Sequence, residues 1–277
     1  MSSVPAAYSG PSALGDDVRR FWHLTWTLAV TDWKLRFYGS ALGYAWTLAR
    51  PFMLFGVIYV VFAEFADLGA RVPHYPVYVL FAMVHFQFFS EIVGGSLSSL
   101  VNRENLLRKV RFPRLVIPMA VALTALFNLG MTLVAVFGFA IASGVEPRWS
   151  WLQLPLLVAL LLTLAVGIGM LLSALFVRYR DIQPMWDVGG QMLFYASPVL
   201  YVTTMVPDAV QHAYAANPLA TILSQLRHAI IDPNAPAAWE AIGGAPRLLI
   251  PAAMIAGGFA LGWIVFRREA PRIAENL

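Results

Sequence analysis

The chain has 277 residues, of which 59% are hydrophobic and only 12% charged. Soluble domains carry about 45–50% apolar and about 25% charged residues, so this composition excludes a water-soluble fold as the default. Cysteine is absent, which excludes disulfides, thiol catalysis and Cys-ligated zinc, and the net charge of +4 is modest. Residues 1–15, rich in Ser, Pro, Gly and Ala, predict a disordered N-terminus, and without a basic n-region they do not read as a cleaved signal peptide. Residues 16–38 predict an amphipathic helix lying in the membrane interface. Trp22, Trp26, Ala29, Trp33 and Phe37 recur every three or four residues, while Arg20, His23, Thr27, Thr31 and Lys34 mark another face. Asp16 or Asp17 suits its N-cap, and tryptophan favours the headgroup level. Such a helix can be an anchor only. It can also border the access route of a lipid-linked substrate, whose phosphates Lys34 and Arg36 would meet.

Six transmembrane helices are predicted at about 42–63, 77–101, 115–142, 152–177, 187–206 and 248–266. Residues 115–145, 149–177, 188–207 and 248–266 contain no charge, and windows of about 20 residues cross roughly 30 Å of hydrocarbon. The first span must tolerate Arg50 and the second Glu91. Residues 64–76 and 146–151 read as short outer loops. The longer 201–247 stretch holds an apolar piece, 209–226, interrupted by Asn217-Pro218; it predicts short re-entrant or outer-face helices before the last span. The fold class expected is therefore an all-α integral membrane protein.

Basic residues set the orientation. Arg19, Arg20, Lys34, Arg36 and Arg50 fall before or early in the first span. Arg103, Arg108, Lys109, Arg111 and Arg114 fall between spans two and three, Arg178 and Arg180 between four and five, and Arg267, Arg268 and Arg272 after six. These segments share one side of a six-span topology and hold fifteen of the 19 Lys and Arg, so the positive-inside rule predicts both termini in the cytoplasm. Within span two, Glu91 lies near His85 and Gln87. An intramembrane ionisable group is a functional candidate, and Glu91 could line a conduit, pair across a subunit interface or pair with Arg50. Arg50 itself could snorkel to the interface or face a conduit and attract a pyrophosphate. Asp187 is explained by solvation at the cytoplasmic start of span five.

Several stretches carry a resemblance. Leu35-Arg36-Phe37-Tyr38-Gly39-Ser40-Ala41-Leu42-Gly43-Tyr44-Ala45-Trp46 resembles the LRYKGSxLGxxW signature of ABC-2 type permeases. The run from Arg103 to Pro113 resembles that family's segment after span two, and Arg178-Tyr179-Arg180-Asp181 its loop after span four. Ser197-Pro198-Val199 and Asn217-Pro218-Leu219 are similar to its outer segment, and the motifs keep their order from about residue 30 to 266. One departure is Arg50-Pro51, where the family often has a neutral residue before the proline.

The resemblance implies an ABC-2 type transmembrane domain over 39–277, in the branch exporting O-antigen, teichoic acid or galactan-like polysaccharides across the bacterial inner membrane. It implies a homodimer of permeases, two separate P-loop nucleotide-binding subunits that carry Mg-ATP, and a substrate glycan on polyprenyl diphosphate within membrane lipid. The chain itself has no G-x-x-x-x-G-K-[ST] loop, and no cofactor or nucleic-acid partner is expected for it. Arg103, Glu104, Leu106, Arg108 and Lys109, with Arg178 and Asp181, are the candidates for contact with the ATPase; a plain positive-inside loop is the simpler reading. Trp22, Trp26, Trp33, Lys34, Arg36 and Arg50 are candidates for substrate access. A glycan conduit must bind weakly and stack sugar faces on rings, so Tyr59, Phe62, Phe65, Phe86, Phe89, Phe194, Tyr195 and Tyr201, with Glu91, are candidates for its lining.

Rival classes fit less well. Gly94-Gly95-Ser96 and His85 share one span, unlike an intramembrane protease, and no clustered acidic motif supports a metal-dependent transferase. A secondary transporter usually has more spans and midplane charge pairs. An ABC-2 permease for a drug or lipid shares the topology and is the nearest alternative.

Overall fold

The computed structural model describes residues 17–38, 43–65, 68–104 and 113–270. Leu106, Arg108 and Lys109 lie outside the described residues, as do the expected disordered segment 1–15, motif residues 39–42 and the side chains of Phe37, Tyr44 and Phe65. Every regular element among the described residues is helical. In chain order they are α1 (Val18–Phe37), α2 (Gly43–Tyr59), α3 (Leu68–Arg71), α4 (Tyr75–Asn102), α5 (Val116–Ala142) and α6 (Leu154–Arg178). There follow α7 (Ile182–Tyr195), α8 (Asp208–Ala215), α9 (Pro218–Leu226), α10 (Ala238–Ala241) and α11 (Leu249–Glu269). Four of them are long and apolar enough to cross a membrane: α4, α5, α6 and α11, the last two counted with the short turns that precede them. They correspond to predicted spans two, three, four and six, and the chain is an all-α integral membrane protein.

Helix α4 is the centre of the bundle, with 78% of its most apolar stretch buried against 17% for α11. It packs between α5 and α6, and α6 in turn carries α11 on its other side. The α6–α11 crossing depends on small residues. A methyl group at Gly167 would lie 2.6 Å from the Phe259 Cα, and one at Gly262 would run into the Gly167 carbonyl. On the opposite face of α6, a methyl at Gly169 would meet the Ser96 Cβ of α4 at 2.9 Å. Close approach of this kind replaces the hydrophobic drive that lipid does not supply.

Helix α1 starts where the Asp17 carboxylate accepts hydrogen bonds from the Arg19 and Arg20 amides at 2.9 and 3.3 Å. Its buried stripe shares Ala29 with the tryptophan-bearing stripe and otherwise lies beside it. Phe21, Thr25 and Ala29, four residues apart, are buried, and Thr124 of α5 donates to the Ala29 carbonyl at 3.3 Å. Trp22 and Trp26 lie on the exposed side, more than half accessible. The helix presents small and medium residues to its neighbour because they allow two helices to approach, and the broad tryptophans are left facing outward.

Helix α2 contains Pro51 and continues through a π-helical turn, Val60–Phe65. Proline removes one backbone donor and crowds the preceding turn, so the helix is not straight through. Its Phe52 and Phe55 rings meet Phe139 of α5 edge-on at 6.4 and 5.7 Å. The stretch expected to form span five, 187–206, is not one continuous helix. Helix α7 has 14 residues, about 21 Å at 1.5 Å per residue, which is less than the roughly 30 Å of a hydrocarbon core. Pro198 disfavours the helical conformation at Ser197, and the chain turns there. The apolar piece 209–226 forms α8 and α9 as expected, divided at Asn217-Pro218. Asn217 caps α9 by accepting from the Leu219 amide at 3.1 Å, and its amide reaches the Ser197 hydroxyl at 3.4 Å. The two proline turns therefore meet.

Candidate functional site

A concavity of about 600 Å³ lies where the end of α1, the start of α2 and the middles of α4 and α5 come together. Gly43, Trp46 and Arg50 enter it from α2 at helical spacing. Val84, Gln87, Phe88 and Glu91 share one face of α4, and Ala125, Asn128, Leu129 and Thr132 share one face of α5. Arg36 at the last turn of α1 closes the group. The volume lies within the 300–1,000 Å³ usual for small-molecule sites.

One carboxylate oxygen organises this space. Arg36 Nη1 donates to Glu91 Oε1 at 2.5 Å, and Asn128 Nδ2 donates to the same oxygen at 2.8 Å. Glu91 is thus satisfied by Arg36, not by Arg50. Arg50 is exposed and makes no hydrogen bond or ion pair among the described residues. Two guanidiniums against one carboxylate leave the concavity net positive, in an apolar bundle where charge is felt strongly. The arrangement can hold a second anion.

A second ion pair joins α1 to the lower end of α4. Arg103, expected as an ATPase contact, is held by the Asp32 carboxylate. Both ion pairs therefore fasten α1 to α4, at Asp32 and Arg36 on one helix and Glu91 and Arg103 on or beside the other. Trp26 and Trp33 add edge contacts to Phe127 of α5 at 5.4 and 6.1 Å, whereas Trp22 meets the Phe21 ring of its own helix at 5.5 Å. Lys34 is exposed and has no partner among the described residues. Glu104 is half-buried, and Arg178 and Asp181 are exposed at the junction of α6 and α7.

The candidate lining residues divide into groups. Phe86 of α4 and Phe194 of α7 meet edge-on at 5.1 Å, and with Tyr195, Trp186, Asp187 and Gln191 they border a shallower concavity of about 340 Å³. Phe89 is fully buried beside Trp186, at 6.1 Å, and supports that wall from behind. Tyr59 and Phe62 pack elsewhere, on the outer half of α2. Tyr201 is bound up in hydrogen bonds: its hydroxyl donates to the Tyr195 carbonyl at 2.8 Å and receives one from Tyr214 at 2.9 Å. No residue of α7 is buried, and the face bearing Met185, Val188 and Met192 stands open in the single chain.

The Tyr75 end of α4 is held by tyrosine hydroxyls and by one buried ion pair. Tyr75 donates to the Leu200 carbonyl at 2.6 Å, and Tyr78 to the carbonyls of Pro198 and Tyr201. Arg227 stands over the Tyr78 ring at 5.7 Å and pairs with Asp232 at 3.4 Å. Burial lowers the Arg227 pKa, an effect that Tyr78 and Asp232 oppose. Burial and the hydrogen bond to Tyr201 push the Tyr214 phenol up.

Sequence reasoning missed Asp32 and Asn128. Asn128 had a signal, being an amide in a long uncharged window; Asp32 had only its place in a basic helix. No group of three or more His, Asp and Glu side chains among the described residues is arranged to hold a metal.

Residues 23–231 match the ABC-2 type transporter family. The chain is 30% identical over 200 residues to the O-antigen export system permease protein RfbA of Myxococcus xanthus, covering 72% of this chain and 76% of that one. It is 27% identical over 202 residues to the RfbA permease of Klebsiella pneumoniae, covering 73% and 77%. The polysialic acid transport protein KpsM of Escherichia coli is 22% identical over 211 residues, covering 74% and 80%.

Proposed function

The chain belongs to the ABC-2 type transporter family, and from that premise we propose that it is the permease subunit of an exporter that moves a polysaccharide out of the cytoplasm. It is a transport subunit and not an enzyme; ATP hydrolysis falls to a partner chain that binds Mg-ATP. The finer reading is a homodimer with two P-loop subunits in the bacterial inner membrane. It has six spans, both termini in the cytoplasm, and a glycan carried on polyprenyl diphosphate. Helix α2 with its π turn, and α7 with the turns beyond it, would supply the two spans not given by a single long helix.

The observation that carries this reading is the net-positive concavity inside an apolar bundle, bordered by an interfacial helix that bears outward tryptophans. A hydrophilic polymer on a lipid diphosphate needs such a place for its anionic head. Relatives named for O-antigen and polysialic acid transport favour a polysaccharide over a drug or a simple lipid. Arg178 and Asp181, exposed at the α6–α7 junction, and the 103–111 segment face the ATPase in this reading. Arg103 then acts through Asp32 as well as through any partner.

Deletion of the gene tests it. Surface polysaccharide should vanish while lipid-linked glycan accumulates on the cytoplasmic face, with polymer synthesis unchanged. Normal surface glycan together with new drug sensitivity would favour the drug-exporting alternative. Replacing Arg108 and Lys109 with Glu should separate the permease from its ATPase, seen as lost co-purification and lost stimulation of hydrolysis.

A further inference from the structure

The Arg36–Glu91–Asn128 cluster is unusual in what it leaves unfinished. Asn128 is 5% exposed and gives its amide N–H to Glu91, yet its Oδ1 has no hydrogen-bond partner among the described residues. A buried acceptor without a donor carries a real cost. Glu91 Oε1, by contrast, collects two donors. Arg50 lines the same concavity and pairs with no carboxylate among the described residues. The cluster is thus well arranged for the carboxylate and poorly arranged for everything around it. Glu91 lies eleven residues before the end of α4, about 16 Å along the axis at 1.5 Å per residue, where a carboxylate needs a reason to be kept.

We propose that this concavity is an anion-exchange site, in which Glu91 is a resident anion on Arg36 that a diphosphate replaces, bridging Arg36 and Arg50. The proposal deepens the export reading and rests on it. Arg36 is about half exposed, so an incoming anion can reach its guanidinium while the Glu91 bond is still in place. A diphosphate offers more acceptor oxygens and more charge than one carboxylate, and guanidinium–phosphate contacts are often bidentate. Once displaced, Glu91 releases the Asn128 amide, which can turn and bring its orphaned oxygen to a donor. Because Arg36 joins α1 to α4, exchange also opens one of the two ion pairs between these helices and leaves the Asp32–Arg103 pair, with the packing of α1 on α5, in place. The site would thus report occupancy to the helix that leads into the 103–111 segment. Competition by a tethered anion also sets selectivity. A weakly charged headgroup cannot displace Glu91, whereas a diphosphate can.

The test is equilibrium binding to the full chain with its ATPase subunits in phosphatidylcholine nanodiscs, without nucleotide. Two probes are used: undecaprenyl diphosphate and inorganic pyrophosphate. Glu91→Gln should bind both diphosphates about three- to tenfold more tightly than the natural chain, because the competing charge is gone. The pair Arg36→Gln with Glu91→Gln should lose at least tenfold relative to Glu91→Gln alone, and Arg50→Gln should weaken binding on either background. The first two variants share a neutral Gln at position 91, so tight binding by Glu91→Gln shows that the altered cluster folds. Weaker or unchanged binding in Glu91→Gln, with the natural chain binding normally, overturns the exchange and leaves the export reading standing. Pyrophosphate binding that tightens in Glu91→Gln, with no binding of the undecaprenyl form, keeps the exchange and overturns the lipid-diphosphate carrier. Binding of neither probe to any variant overturns the exchange site and removes the carrier with it.

Discussion

The two ends of α4 are held by different chemistry. At the outer end, Tyr75 and Tyr78 give neutral hydroxyls to three backbone carbonyls of the 198–201 turn. Nearby, Ser150 and Trp151 donate to the carbonyls of Ala229 and Ile230 at 2.5 and 3.1 Å. From the middle of α4 to its Arg103 end the fastenings are ion pairs between side chains, Arg36 with Glu91 and Arg103 with Asp32, both partly exposed. A neutral bond to a buried backbone carbonyl has no ready competitor in lipid, since nothing there can replace the donor. An ion pair can be exchanged for another ion. The tyrosine bonds are therefore built to stay, and the partly exposed Arg36 and Arg103 pairs to be opened by charge. The proposed loading of an anionic head from the cytoplasmic side would use that division.

Four measurements can break or sharpen this contrast. The largest effect is expected from Tyr75→Phe combined with Tyr78→Phe, which strips three buried carbonyls of their side-chain donors. At roughly 1–3 kcal/mol for each group left unsatisfied, the pair should cost about 3 kcal/mol in thermal or denaturant unfolding. A loss below about 0.5 kcal/mol would show that the turn is held by packing alone. Arg103→Ala comes next, at about 1 kcal/mol, because its pair with Asp32 is only partly shielded from solvent. Its loss should shrink in 1 M salt, where the Debye length is about 3 Å, whereas the tyrosine variants should not change with salt. Equal salt dependence at the two ends would remove the distinction. Trp33→Ala should cost about 0.5–1.5 kcal/mol through the edge contact with Phe127 and the area it covers. Lys34→Gln should fall within about 0.5 kcal/mol of the natural chain, since Lys34 is exposed and without a partner among the described residues.

What could be read from the sequence follows from the range of each signal. Long apolar windows are local and additive, so the helices at α5, α6 and α11, and α4 with Glu91 tolerated, were legible. The helix break at Ser197-Pro198 was not, because hydropathy averages over it; the proline itself was the available signal, and the sequence reading used it only as a motif. The cap at Asp17 and the division of 209–226 at Asn217-Pro218 were legible because caps and proline turns act over three or four residues. The stripe of α1 that packs, Phe21, Thr25 and Ala29, was not legible, because the tryptophans dominate the apolar pattern and draw the reading to the membrane interface. Most of the cluster residues were visible one by one, as Arg36, Arg50 and Glu91 stood out on chemical type. Their pairing was not, since Arg36 and Glu91 are 55 positions apart and nothing local chooses Arg36 over Arg50. Of the proposed lining, Phe86, Phe194 and Tyr195 come together, while Phe89 and Tyr201 are committed to packing and hydrogen bonding.

The central claim is that a partner ATPase drives a lipid-linked polysaccharide through this chain. The direct measurement uses proteoliposomes holding the chain and its P-loop subunit, loaded on the outer, cytoplasm-equivalent face with fluorescent polyprenyl-diphosphate glycan. Added glycosidase then reports which side the sugar occupies. The account predicts that Mg-ATP makes the glycan resistant to the enzyme and that a hydrolysis-deficient ATPase leaves it fully digestible. Glycan that stays digestible with Mg-ATP, or that becomes protected without nucleotide, would contradict it.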